Sequence, residues 1–211
     1  MIPNVRHAHD PWVGYGTQVW HNDDKFEAFV EHLIETVKPD RFVETGTNMG
    51  WTSCWVAQKF PWLPIYTVEC APRYFQIVKE NFAPYPQIAF SEGDSVDFLA
   101  RLKPVLIRGL SLFWLDAHWW ENLPLRKECE VVAGLDRYAC LIDDFECKDP
   151  NFEGDVYKDI RIGLPYVSPP LPGECWRPNY EAKPGFKGYG LFLKDVDYVA
   201  PSTMRRDVLQ G

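Results

Sequence analysis

Leu112-Phe-Trp-Leu-Asp-Ala-His118 and Ala139-Cys-Leu-Ile-Asp-Asp144 each run through four hydrophobic residues into acid. Apolar runs this short, bounded by charge, read as buried strands rather than helices. Two such strands, ending in Asp116 and in Asp143 and Asp144, place three carboxylates side by side at one edge of a sheet. Carboxylates gathered away from water repel one another and lose hydration, which is costly unless something positive joins them. A hard, oxygen-loving divalent cation such as Mg²⁺ meets that requirement.

Working outward, the chain alternates. Phe26, Phe29, Val30, Leu33, Ile34 and Val37 recur at helical spacing, which predicts an amphipathic helix over Asp24–Val37. Strands are expected at Arg41–Glu44, Ile65–Glu69, Ile88–Ser91, Ser111–Leu115 and Ala139–Ile142. Helices are expected between them at Trp51–Lys59, Pro72–Asn81, Ser95–Leu102 and Pro124–Ala133. Strand and helix repeated in this way predict a Rossmann-like, doubly wound α/β fold, a mostly parallel sheet with helices on both faces. Residues 1–23 lack periodicity and read as a surface arm before a single domain over 24–211. Residues 146–187, rich in Pro and Gly, read as a long loop-like insertion, and a loop of that length is usually functional or disordered. A late strand is expected over Gly188–Leu193, and another beginning at Tyr198-Val199.

The 211 residues suffice for one domain with a proper core. A net charge of −8 opposes a nucleic-acid surface, which needs clustered Lys and Arg. No apolar run approaches the roughly 18 residues that span a bilayer, and the N-terminus lacks a signal-peptide pattern, so no membrane partner is expected. The six cysteines show no close metal-type spacing and read as reduced, mostly buried thiols of a cytoplasmic protein, with an extracellular disulfide scaffold as the alternative. The nine Trp suit a core, an aromatic-lined pocket or a homo-oligomer interface.

Glu44-Thr-Gly46-Thr-Asn-Met-Gly50 follows the first strand and opens a helix. Glycine has no Cβ, so such a turn lets a ligand approach the backbone closely, although it also serves as a plain tight turn. Glu69 closes the second strand, about 20 residues on, where an acid commonly accepts from two ribose hydroxyls. Gly93-Asp94-Ser95 closes the third strand. Asp94 or Ser95 can border a base there, cap the next helix, or do both.

In order and spacing, Val43-Glu-Thr-Gly-Thr-Asn-Met-Gly-Trp-Thr-Ser53, Thr67-Val-Glu-Cys70, Gly93-Asp-Ser95, Leu115-Asp-Ala-His-Trp119 and Leu141-Ile-Asp-Asp144 resemble a class I S-adenosylmethionine-dependent methyltransferase. The nearest likeness is to the metal-dependent O-methyltransferases of the catechol and macrocin kind, over residues 24–145. The resemblance implies a seven-stranded sheet and S-adenosylmethionine as cofactor. Glu44, Gly46, Gly50 and Thr52 would surround its methionine half. Glu69 would hold the ribose, Asp94 and Ser95 would border the adenine, and Asp116 would lie beside the cofactor. Asp116, Asp143 and Asp144 would bind Mg²⁺ or another divalent cation, and the acceptor would be a small molecule with a phenolic or sugar-like hydroxyl.

Two positions depart from that family. Its last acidic position is commonly Asn, so Asp144 adds a negative charge here. Its lysine base after the first metal-binding Asp is replaced by Trp119. His118 is the nearest substitute, since imidazole titrates near neutrality and can take a hydroxyl proton, while a purely structural histidine is the alternative. His21, in the arm, is a remote second candidate. Trp119-Trp120 would stack on an acceptor or simply pack. The rival functional readings are an inactive nucleoside-binding protein of the same fold and an NAD-dependent oxidoreductase, the latter opposed by the glycine spacing.

Overall fold

Leu112 and Trp114 of one central strand face one side of the sheet, and Phe113 and Leu115 face the other, because successive side chains of a strand alternate. Both faces are buried, so the strand reads as an unbroken apolar run, as expected when helices cover a parallel sheet on both sides. The computed structural model describes residues 19–118, 122–147, 149–167, 170–172 and 174–207.

The main sheet begins with β1 (Arg41–Thr45), β2 (Ile65–Glu69), β3 (Ile88–Glu92), β4 (Ser111–Leu115) and β5 (Tyr138–Ile142), all parallel, in the spatial order 3-2-1-4-5. The helices α1 (Asp24–Val37), α2 (Trp51–Lys59), α3 (Pro72–Phe82), α4 (Ser95–Leu106) and α5 (Leu125–Ala133) connect or cover them. One core layer packs Phe26, Leu33 and Val56 from α1 and α2 onto Phe42, Ile65, Leu112 and Leu141. The other packs Phe98 and Leu99 of α4 with Leu125 and Val132 of α5 onto Val43, Val68, Phe113 and Ile142. Each such side chain taken fully from water contributes about 1.5–3 kcal/mol. Helix α4 runs past the expected Leu102 to the buried Leu106, with Pro104 inside its last turn.

Two features depart from expectation. The sheet has eight strands, not seven, and its far side is antiparallel: β11 (Gly190–Lys194) pairs with β5, β9 (Glu174–Pro178) with β11, and β12 (Met204–Asp207) with β9. Strand β9 lies inside the segment read as an insertion, and Tyr198-Val199 forms no strand. Glu-Cys-Trp-Arg-Pro and Met-Arg-Arg-Asp carry no apolar alternation, so their pairing is fixed by register with β11 and with each other. The same segment also holds β6 (Phe152–Glu153), β7 (Val156–Tyr157), β8 (Ile160–Arg161), the short helix α6 (Leu164–Val167) and β10 (Phe186–Lys187).

The second departure is at the end of the arm. Residues 19–22 form a 3-10 turn, and Trp20 is buried edge-on against Phe26, Trp55 and Trp114 at 5.2–5.5 Å between ring centroids. Asp23 caps α1, accepting from the Lys25 and Phe26 amides, and receives the Tyr180 hydroxyl at 2.5 Å. Arm and insertion therefore meet over the start of α1.

Candidate active site

The strand order reverses between β1 and β4, and such a switch point opens a crevice at the carboxyl ends of the strands. Gly46 begins the turn there with φ +83°, a left-handed conformation that glycine adopts without strain. A Cβ at Gly46 would lie 2.3 Å from the carbonyl oxygen of Asp116, so the turn rests directly on the end of β4. Gly50, at φ +81°, starts α2 with no room for a Cβ beside the Phe82 ring. Asp116 is thereby held beside the glycine turn.

The side chains of the expected cofactor crevice are organised by hydrogen bonds. Glu44 is buried and accepts from Ser53 Oγ at 2.7 Å and Thr67 Oγ1 at 2.6 Å, bracing α2 against β1 and β2. Burial pushes its carboxyl up to about 7, against the opposing pull of those two hydroxyls. Glu69 accepts the Asn48 amide on Oε2 at 2.7 Å and the Ala71 amide on Oε1 at 2.8 Å. A carboxylate has about four lone-pair sites, so two remain for hydroxyl donors. Asp94 caps α4 through the Val96 and Asp97 amides, and Ser95 is buried behind it. Thr52 is half-buried in the first turn of α2.

Asp116 and Asp143 meet at the ends of neighbouring strands, where the Asp116 amide donates to Thr45 O and the Asp143 amide to Leu115 O. Burial, then the charges of Asp143 and Asp144, hold the Asp116 carboxyl well above the usual range. Asp144 is turned aside by a left-handed backbone, φ +52°. Its Oδ1 lies 3.4 Å from Lys187 Nζ, and its Oδ2 lies 3.4 Å from both His118 Nε2 and the Tyr157 hydroxyl. His118 is 3% exposed and lies edge-to-face with Tyr157 at 5.4 Å. Neither of its ring nitrogens has a hydrogen-bond partner among the described residues. A base must touch the proton that it removes, and His118 sits beneath Tyr157 rather than at an open surface. Trp119, Trp120 and Glu121 lie outside the described residues.

Local sequence patterns give no hint of two neighbours and point only remotely to a third. Tyr157 of β7 and Lys187 of β10 come from the Pro/Gly-rich segment, and Asp155 joins them by accepting from Lys187 Nζ at 2.8 Å. The third is His21, whose Nε2 lies 2.9 and 3.0 Å from the two oxygens of Asp143. A histidine in an aperiodic arm gives no signal of its partner 122 residues away.

The His21–Asp143 pair makes a pH-dependent prediction. Burial opposes protonation of His21, but Asp143 outweighs it and raises the imidazole above its usual 6.5. Burial likewise opposes ionisation of Asp143, yet His21 outweighs it and holds the carboxyl below the usual 3.8. The histidine contribution is complete below 6.5 and is lost as pH rises through its folded pKa; the aspartate contribution is complete above 3.8 and is lost as pH falls through its own. His21→Ala is therefore expected to lower Tm most between those two values and hardly at all at alkaline pH. A Tm deficit independent of pH would mean that the pair does not form.

No protein-family model matches the sequence, and no curated protein matches it either. Solved structures do match. The O-methyltransferase from Bacillus cereus, solved in complex with SAH, superposes with a TM-score of 0.57 over 85% of this chain and 84% of that one, at 14% identity. The O-methyltransferase TomG from Streptomyces achromogenes, involved in tomaymycin synthesis and solved with SAM, gives a TM-score of 0.53 over 78% of each chain at 17% identity. An O-methyltransferase family protein from Burkholderia thailandensis gives 0.54 over 81% of this chain and 55% of that chain, at 12% identity. The chain thus shares the Rossmann-like fold of these O-methyltransferases.

Proposed function

We propose that this protein transfers the methyl group of S-adenosylmethionine to a hydroxyl oxygen of a small molecule, phenolic or sugar-like, with the help of a divalent cation. The observation that carries this reading is the meeting of Asp116 and Asp143 beside a glycine turn whose Asn48 amide donates to Glu69. The Gly46–Gly50 turn lets the methionine half lie on the backbone, and Asp116 borders it. Glu69, held by two backbone amides, presents its remaining lone pairs to the ribose hydroxyls. Asp94 and Ser95 border the adenine.

The donor set suits a cation: Asp116, His118 and Asp143 each offer an atom within 4.8 Å of the others, and the imidazole nitrogens are buried and unsatisfied among the described residues. When bound, such a cation lowers the pKa of a hydroxyl and holds its oxygen in line with the methyl. Asp116 and Asp143 supply oxygen ligands, and His21, hydrogen-bonded to Asp143, fixes the orientation of that carboxylate. Tyr157, Asp155 and Lys187 wall the site on the acceptor side and help exclude water.

A second reading is favoured by the contacts of His21 with Asp143 and of Lys187 with Asp144. These cations of the chain itself neutralise two carboxylates, as a nucleoside-binding protein of this fold without catalysis would require. Titration calorimetry with S-adenosylhomocysteine, with and without Mn²⁺, separates the two: cofactor binding without cation binding favours the second. Methyl-labelled cofactor offered to pools of phenolic and sugar acceptors tests the first, and no transfer to any pool in the presence of Mg²⁺ or Mn²⁺ counts against it.

Glu69→Ala is expected to weaken S-adenosylhomocysteine binding by about 1.5–3 kcal/mol, the range for a lost hydrogen bond to a charged group. Unchanged affinity in a folded variant would place the ribose elsewhere.

A further inference from the structure

We infer that the third protein ligand of the divalent cation is the imidazole of His118 rather than the carboxylate of Asp144. The site would then carry one nitrogen and two carboxylate donors and select a transition-metal ion over Mg²⁺. This rests on the metal-assisted reading above and specifies its chemistry.

The geometry separates the two candidates. Among the described residues, Asp116, His118 and Asp143 offer ligand atoms that all lie within 4.8 Å of one another. His118 Nε2 stands 4.0 Å from Asp116 Oδ1, a separation that one cation between them would bridge. Asp144 sits differently: its left-handed backbone turns it out of line with Asp143, and its oxygens face Lys187 Nζ on one side and the Tyr157 hydroxyl and His118 Nε2 on the other. Drawing Asp144 onto a cation would pull it from Lys187, whose positive charge would then oppose the ion. His118 Nε2 gives up only its 3.4 Å contact with Asp144 Oδ2, an oxygen that keeps the Tyr157 hydroxyl, and its Nδ1 has no hydrogen-bond partner among the described residues. Leaving such groups unsatisfied is costly, and a metal bond removes that cost at one nitrogen.

The surroundings also suit a ligating histidine. Metal-bound imidazoles commonly give their second N–H to a carboxylate. Glu128 of α5 is fully buried and near enough for its charge to act on His118. The donor change has a consequence for metal choice. Imidazole suits Co²⁺, Ni²⁺ and Zn²⁺, whereas Mg²⁺ prefers an all-oxygen shell. A ligating nitrogen has no lone pair left for a proton, so His118 is then a ligand and not the base.

The test uses the full chain and metal salts alone. Calorimetry should give Co²⁺ an affinity at least about tenfold above that of Mg²⁺, following the imidazole preference. Pulsed electron paramagnetic resonance of the Mn²⁺-loaded protein should show nitrogen coupling from a directly bound imidazole. That coupling should vanish in His118→Gln and persist in Asp144→Asn, with the Asp144→Asn affinity within about threefold of the parent. Because a variant at buried His118 can fail to fold, His21→Gln serves as the second arm: coupling retained there assigns the nitrogen to His118, and coupling lost assigns it to His21 and overturns the inference. Cation binding without nitrogen coupling also overturns it while leaving the metal-assisted reading intact. If no divalent cation binds although S-adenosylhomocysteine does, the metal-assisted reading itself fails.

Discussion

Stripping divalent cations with EDTA is expected to abolish methyl transfer, and Asp143→Ala to lower it by at least about a thousandfold, equivalent to ~4 kcal/mol in the barrier. Asp143 is 2% exposed, at the end of β5 and beside Asp116, so its loss removes a ligand that no solvent-facing carboxylate can replace. The variant should still fold. Its removal relieves the repulsion that drives Asp116 upward, and the one described partner that it strands, His21, is partly exposed and can turn to water. Circular dichroism and S-adenosylhomocysteine affinity near those of the parent, together with lost Mn²⁺ binding, are the expected result. Full activity in the chelated parent protein would show that these aspartates are not a catalytic metal site.

Gly46→Ala should be the most damaging substitution outside the acidic edge. Alanine at φ +83° meets the left-handed penalty of about 1–2 kcal/mol. Its Cβ would also fall 2.3 Å from the Asp116 carbonyl oxygen and 2.9 Å from Ala117 Cα, both backbone atoms that cannot rotate away. Adding the usual overpacking cost gives about 2–5 kcal/mol in all. Denaturant unfolding should show that loss, and cofactor binding should fall with it, because the turn must lift from β4. A variant as stable as the parent would mean that the turn does not rest on β4 as described. Gly185→Ala is a useful control for the clash, since its φ of +89° matches that of Gly46 while a Cβ there meets nothing within 4 Å.

The parallel half of the sheet was legible in the sequence because its central strands are buried on both faces. Leu112–Leu115 and Ala139–Ile142 are uninterrupted apolar runs, and the helices between them keep helical spacing. The glycine turn and the strand-end acids were legible for a related reason: in this topology, a residue just after a parallel strand lies in the crevice, so sequence position alone fixes the neighbourhood of Gly46, Glu69 and Asp116. Asp143 follows from the same rule.

The rest depended on contacts across long stretches of chain. Strands β9 and β12 are short and charged, and only their pairing with β11 and with each other makes them strands. His21, Tyr157 and Lys187 reach the acidic edge from an aperiodic arm and a Pro/Gly-rich segment, where neither spacing nor propensity reports a partner more than a hundred residues away or across a loop. Sequence alone determined that three aspartates gather at one edge of a parallel sheet, because burial and strand polarity leave them no other place. Only the tertiary structure set the surroundings of those aspartates: the left-handed turn at Asp144 carries that carboxylate toward Lys187, and the buried imidazole of His118 comes beside Asp116 and Asp143, because these contacts join segments that sequence spacing does not relate.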